Sequence, residues 1–395
     1  MLELSSHLQL LTWPFALAMA WVLGEVFNRF THLPRISIYA ILGFAFGNSV
    51  SAFLANQNAE LLMIGANLAF GLMLFELGYR INIAWLRDNP WIALTGALES
   101  LLTFAVVVFL AKFAGQSSLA AWLLGALAMS TSPASVLRVI NEERAAGQVT
   151  ERVLHLTAIN CVMAVCMFKI ILGVGVYQSS GDWMSAGWHS MFVLLVSAGI
   201  GVTAGVIVPA WLRRMGRLSA DGTIAFAFGV LLLVSLTHVL KLSPIVAALT
   251  FGLVARHRRV SLSRTQRNFG VLGDLLSVLL FFYVASTIAW EHAWAGALLG
   301  VTLVLARMAI KIAVSSATAR ASGITLRKGY LTGIALAPMS VFALLLLEQS
   351  RYMELQLVDR LDALAAMALL LEVAGPALTY LALRLARETQ SERKD

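Results

Sequence analysis

Residues Ala128–Leu137 read AMSTSPASVL. Pro133 removes a backbone donor and crowds the turn before it, so a helix through this point must kink or break. Ser130, Thr131 and Ser132 add three hydroxyls at the same place. In a soluble chain such a stretch is an ordinary helix boundary. Here the flanks are apolar from Leu119 to Ile140, a run long enough to cross a bilayer. Peptide groups freed at that depth find no water. They persist only beside a cavity, a neighbouring side chain or an ion.

The rest of the chain has the same character. Its 395 residues are 59% hydrophobic and 13% charged, with a mean hydropathy of +0.81, against about 25% charge in a soluble domain. The apolar runs are continuous rather than alternating, which selects helices over a membrane barrel. About thirteen runs approach the length of a transmembrane helix: Leu8–Phe27, Ile36–Leu54, Leu61–Leu77, Trp91–Leu110, Leu119–Ile140, Leu154–Val176, Met191–Trp211, Ile224–Val239, Ser243–Ala255, Val271–Trp290, Ala293–Ser315, Leu331–Leu347 and Leu361–Leu383. The first has no basic residue before it and no small-residue cleavage site after it. It reads as a membrane helix rather than a removable signal.

Charge tests this count. With the N-terminus outside and alternation thereafter, only Lys112, Lys241, Arg351 and Arg360 fall outside, of 29 lysines and arginines. Lys169, Arg307 and Lys311 lie within the runs, and all others fall inside. That asymmetry supports an external N-terminus and a cytoplasmic C-terminus. It explains the net charge of +8 as topology and removes the reason to invoke nucleic acid. The basic cluster Arg256–Arg267 is an ordinary cytoplasmic loop or a contact for anionic lipid. Trp183 and Trp188 read as interfacial anchors in an outer loop. The two cysteines, Cys161 and Cys166, sit on different faces of one helix. Their spacing suits neither a disulfide nor a metal pair.

A second break stands at Ile334–Leu344, IALAPMSVFAL. The two prolines, Pro133 and Pro338, lie on runs that cross the bilayer in opposite directions. Antiparallel interrupted helices in corresponding halves mark a transporter built from inverted repeats. Thr131, Ser132 and Ser340 supply hydroxyls at the breaks, and half-helix ends need side-chain charge to balance their dipoles. Embedded charged residues recur around both: Glu99 before the first, Lys311 before and Glu372 after the second.

With those motifs in hand, the chain resembles the Kef-type branch of the monovalent cation:proton antiporter family, which has the sodium/proton exchanger fold. The likeness extends over nearly the whole chain. It rests on LPRISIYAILGFAFG (Leu33–Gly47), LAFGLMLFELGYRINIAWL (Leu68–Leu86), AMSTSPASVLRVINE (Ala128–Glu142), SVLLFFYVAST (Ser277–Thr287) and GIALAPMSVFALLLLE (Gly333–Glu348). The resemblance implies exchange of Na⁺ or K⁺ for protons by a homodimer. A core (about 91–176 and 293–383) would slide against a scaffold (about 8–77 and 191–290). After the last run stands only ARETQSERKD, which reads as no appended nucleotide-binding domain. The resemblance also implies a bacterial-type inner membrane, contacts with lipid, and no cofactor. In the family the working carboxylate follows an Asn or Asp after the first break. Here those positions are Asn160 and Cys161. Lys311, with Arg307 one turn earlier, matches the family's embedded cation. The family's Arg-Gly-Glu after the second proline is replaced by Met339-Ser340-Val341.

A carboxylate binds hard cations through oxygen, whereas sulfur is a poor ligand for Na⁺ or K⁺. Three readings follow. In the first, the exchanging carboxylate is relocated to Glu372 or Glu99, where it competes with Lys311, unless these acids merely pair with Lys311, Arg307 or Lys169. In the second, Lys169, Arg307 and Lys311 make the core net positive, and it carries an anion or acidic solute with a proton. In the third, the scaffold survives as a sensor or subunit without transport. His155 and His238 are proton relays or locally satisfied side chains. No phosphate loop, nucleophile elbow or metal-spaced histidine pair supports an enzyme.

Overall fold

The computed structural model describes residues 2–31, 33–54, 59–177, 183–214, 222–257, 263–339, 343 and 362–389. The regular elements among them are all helices: α1 (Leu2–Thr31), α2 (Arg35–Leu54), α3 (Ala59–Arg80), α4 (Ile83–Asp88), α5 (Pro90–Phe113), α6 (Ser118–Met129), α7 (Pro133–Glu142), α8 (Gln148–Tyr177), α9 (Trp183–Arg214), α10 (Gly222–Val239), α11 (Pro244–His257), α12 (Ser263–Ser286), α13 (Trp290–Ala295), α14 (Ala297–Ala317), α15 (Leu326–Ala335) and α16 (Asp362–Leu385). Among the described residues, 7 helices are long and apolar enough to span a membrane, with α6 and α7 taken together as one span. Arg35–Gly47, Pro244–His257 and Leu275–Ser286 are shorter apolar helices. Each run expected from the sequence falls on helix, although the twelfth is described only to Met339 and at Ala343. Ser340 therefore lies outside the described residues.

The corrections lie between the runs. Two short helices, α4 and α13, were not expected. Asn82 starts α4 by accepting from the Trp85 N–H, and Pro90 at the first turn of α5 restarts the chain after Asn89. The run expected from Ala293 is divided at Gly296, the boundary between α13 and α14. On α13, Trp290 and Trp294 are exposed and stack with centroids 6.4 Å apart, which is interfacial chemistry. Trp183 and Trp188, expected in a loop, stand instead in the opening turns of α9.

Packing follows residue size. A Cβ on Gly252 would lie 2.0 Å from the Phe75 carbonyl oxygen, and one on Gly78 would lie 2.1 Å from that of Leu249. Only glycine lets α3 and α11 approach so closely, as small residues do in membrane bundles. Helices α3, α9, α10 and α11 pack on one another, as α2 does on α12. Helices α5, α6, α8, α14, α15 and α16 form a second network of contacts. Phe109, Leu195, Ile207, Phe228, Leu232, Leu298 and Leu305 are exposed, the surface expected to face hydrocarbon.

The segment just after α16 is tied to this second network. After α16, the Glu388 carboxylate accepts from the backbone N–H of Val149 (2.9 Å) and Thr150 (2.8 Å) and from Thr150 Oγ1 (2.8 Å). The Ala146 N–H donates to the Glu388 carbonyl at 3.0 Å. A negative charge thus sits on the otherwise unpaired donors at the N-terminus of α8.

Candidate functional site

Helix α6 stops at Met129, and Ser130, Thr131 and Ser132 run extended before α7 resumes at Pro133. Ser132 caps α7: its Oγ accepts from the Ser135 N–H at 3.4 Å and from Ser135 Oγ at 3.1 Å. Helix α15 ends at Ala335, and Ala337–Met339 lie outside regular structure. The two interruptions meet. The Ser132 N–H donates to the Pro338 carbonyl at 2.8 Å, and Thr131 Oγ1 lies 3.5 Å from the Leu336 carbonyl.

The meeting point brings two helix C-termini together, each with carbonyls that have lost their intrahelical donors. Arg307 of α14 answers both. Its Nε donates to the Ala128 carbonyl (2.8 Å), Nη1 to Ala337 (2.7 Å) and Nη2 to Ser130 (2.7 Å), with Leu336 at 3.2 Å. Arg307 is fully buried. Each C-terminus carries roughly half a negative charge, so one guanidinium roughly neutralises the two. The sequence marked Arg307 only as an embedded cation one turn from Lys311. The structure makes it the clasp between the breaks.

Lys311 Nζ lies 2.8 Å from both carboxylate oxygens of Glu99 on α5. It is also 3.4 Å from the Met129 carbonyl and from Thr131 Oγ1. Asn160 of α8 joins them: its Nδ2 donates to Glu99 Oε1 (2.5 Å) and to Thr131 Oγ1 (3.0 Å), while its Oδ1 accepts from Ser100 Oγ (3.0 Å). Cys161 Sγ donates to the Thr131 carbonyl at 3.3 Å. Glu99, Thr131, Ser132, Asn160, Cys161 and Lys311 are all at 0% exposure. Four elements thus converge on one closed ion pair beside the first break: α5, the α6–α7 interruption, α8 and α14. Its oxygens on Glu99, Thr131 and Asn160, with the Met129 carbonyl, are the hard donors that a monovalent cation takes.

This convergence accompanies a match of residues 15–382, nearly the whole chain, to the sequence model described as "Sodium/hydrogen exchanger, transmembrane". The chain belongs to the sodium/hydrogen exchanger family. It is therefore a multi-pass transporter by family rather than an enzyme. No curated protein sequence matches it. Two solved structures of the sodium proton antiporter MjNhaP1 from Methanocaldococcus jannaschii have the same fold. One, determined at pH 8, aligns with a TM-score of 0.66 at 16% identity, covering 95% of this chain and 96% of that one. The other, from electron microscopy, gives 0.70 at 16% identity, with 96% of each chain covered.

Within the exchanger, the remaining candidates separate clearly. Glu372 of α16 is fully buried, and neither carboxylate oxygen has a hydrogen-bond partner among the described residues. Lys169 is only partly buried and makes none of the contacts above. His155 is locally satisfied: Nδ1 lies 2.7 Å from the Glu151 carbonyl, Nε2 accepts from the Asn82 N–H at 3.2 Å, and the ring stands against Trp85. The sequence reading did not single out Ser100. Its only signal was a hydroxyl next to Glu99 on an otherwise apolar helix.

Proposed function

We propose that the protein exchanges a monovalent cation, Na⁺ or K⁺, for protons, and that Glu99 is the carboxylate that has replaced the one missing at Cys161. The observation that carries this reading is the buried Glu99–Lys311 pair at the first break, shared with Asn160 and Thr131. A buried ion pair of this kind is poor evidence for stability, because its desolvation offsets much of its attraction. Its value is as a replaceable contact. The entering cation takes the oxygens of Glu99 and its neighbours, the Lys311 ammonium loses its proton to water, and a neutral amine remains. One positive charge enters as one leaves, so the buried site keeps its net charge. Cys161 orients the Thr131 carbonyl and does not ligate the cation.

The resemblance to the Kef branch, with Cys161 at the ion-site position, belongs to this reading. So do a core of about 91–176 and 293–383 moving against a scaffold of about 8–77 and 191–290, inverted repeats, a homodimer, and an N-terminus outside a bacterial-type inner membrane. The dense packing within each helix set supports the division, although α8 also touches α9 and α16 touches α2. The lopsided distribution of Lys and Arg supports the topology. Ser340, expected at the second break, keeps its candidacy on sequence alone. The anion reading loses its main support, since Arg307 is spent on backbone carbonyls and Lys311 on Glu99.

The test is proteoliposomes loaded with a pH dye and challenged in turn with Na⁺, K⁺, Li⁺ and small anions. Cation gradients are expected to move protons, and Glu99→Gln to abolish the flux. Proton movement with anions alone would replace the reading by anion transport. No movement under any gradient would leave a sensor or subunit.

A further inference from the structure

Among the described residues, Glu372 is the one fully buried carboxyl near the breaks that the exchange at Glu99 does not use. Its helix, α16, lies directly along the second break. Thr379 Oγ1 donates to the Ala335 carbonyl at 3.0 Å, and a Cβ on Gly375 would lie 2.8 Å from Pro338 Cα. Glu372, Gly375 and Thr379 stand at i, i+3 and i+7, which is one face of a helix. The carboxyl therefore belongs to the face that follows α15 into its interruption. Just beside it, the Val373 carbonyl accepts from Ser37 Oγ of α2 at 2.9 Å, so polar contacts already reach this level of the helix.

Among the described residues, the buried charges at the breaks balance without Glu372. Arg307 faces two helix C-termini, each about half a negative charge, and Lys311 faces Glu99. Charged groups on the other helices packed against α16 are engaged elsewhere. On α13, His292 bonds Asp362 at 2.7 Å, ten residues before Glu372, and Glu291 is exposed. On α15, Arg327 donates to the Leu385 carbonyl and Lys328 to Gln148. On α2, Arg35 pairs with Glu25 and with Glu142 of α7; Tyr39 of α2 and Arg138 of α7 have partners of their own. Among the described residues an ionised Glu372 would have no partner, at a large desolvation cost. An intramembrane carboxyl with neither counter-ion nor hydrogen bond has to bring its own proton or cation.

We propose that Glu372 is a second exchange carboxyl, holding a proton in the conformation described here and trading it for a monovalent cation when the second break opens to water. The O–H bond breaks, the proton passes to water, and the cation takes its place on the carboxylate, so charge is conserved. This deepens the exchange reading and rests on it for the identity of the cation. Lys311 and Glu372 would then each release a proton, one at each break.

The experiment is labelling of the purified full-length protein with dicyclohexylcarbodiimide, which adds across a protonated buried carboxyl, followed by peptide mass spectrometry. An adduct is expected on Glu372. Na⁺ or K⁺ should suppress it several-fold, and choline should not. The same labelling is expected in Glu99→Gln, so the result stands even if exchange at Glu99 fails. A second readout counts protons released on cation addition, of which Glu372→Gln is expected to lose one per chain. Absence of an adduct on Glu372, an adduct that neither Na⁺ nor K⁺ suppresses, or unchanged proton release in Glu372→Gln overturns the proposal.

Discussion

Replacing Arg307 with Met removes three short charge-assisted hydrogen bonds, those to Ala128, Ala337 and Ser130. Hydrogen bonds to a charged group contribute about 1.5–3 kcal/mol each, which puts the summed loss of three at about 4.5–9 kcal/mol. The three share one side chain and are not additive, so the low end, about 4.5 kcal/mol, applies. Met roughly preserves the stem's volume, and the loss therefore reports the unpaired carbonyls rather than a cavity. Tm falls by about 2–4 °C per kcal/mol in domains of 150–250 residues and by less in longer chains. A drop of about 5 °C is expected for Arg307→Met in detergent, followed by tryptophan fluorescence. Arg307→Lys keeps the charge but not the planar fork that reaches several carbonyls at once, and should recover only part of it. Arg320→Met, at an exposed position, is the control and should melt as wild type. Melting of Arg307→Met within about 1 °C of wild type would refute the idea that this guanidinium holds the two breaks together.

Three further outcomes follow from other contacts. Gly375→Ala pushes a methyl into Pro338, an overpacking worth about 1–3 kcal/mol; its Tm should fall, and it should slow exchange more than a surface Gly→Ala does. Cys161→Asp sets a carboxylate oxygen against the Thr131 carbonyl that the thiol now satisfies, so the variant should need a cation to bridge them. Its Tm should rise more with NaCl over choline chloride than wild type's does, approaching the effect of about 2.7 kcal/mol given by ligand at a hundred times Kd. Glu388→Ala leaves the Val149 and Thr150 amides without their acceptor, which costs about 1–3 kcal/mol; hydrogen exchange at those two amides should accelerate while that at Asn160 changes least.

The helices and both breaks were legible because they rest on local signals. Apolar run length locates the helices, and a proline among hydroxyls locates the first break. The resemblance around Ala128–Glu142 pointed to the sodium/hydrogen exchanger family at large. The partnership of Glu99 with Lys311 was only one of several open pairings, since it joins positions 212 apart in sequence and nothing local distinguishes it from a pairing with Glu372. The task of Arg307 was hidden for a different reason: its partners are backbone carbonyls, which have no residue identity to read. The short helices α4 and α13 escaped because they are too brief to register as apolar runs. Their caps, Asn82 and Gly296, carry the only local signal. Nothing in the sequence marked Glu388, because its buried role depends on the chain turning back at Arg387, where φ is 57°.

The most direct measurement of the exchange chemistry counts protons released when Na⁺ or K⁺ is added to purified, weakly buffered protein carrying Glu372→Gln. One proton is expected for each cation bound, drawn from Lys311. Adding Lys311→Gln should abolish that release while cation binding to Glu99 persists and tightens, because the competing ammonium is gone. Proton release that survives Lys311→Gln undiminished, or its absence from the parent protein, would contradict the displacement of Lys311 from Glu99 by the cation.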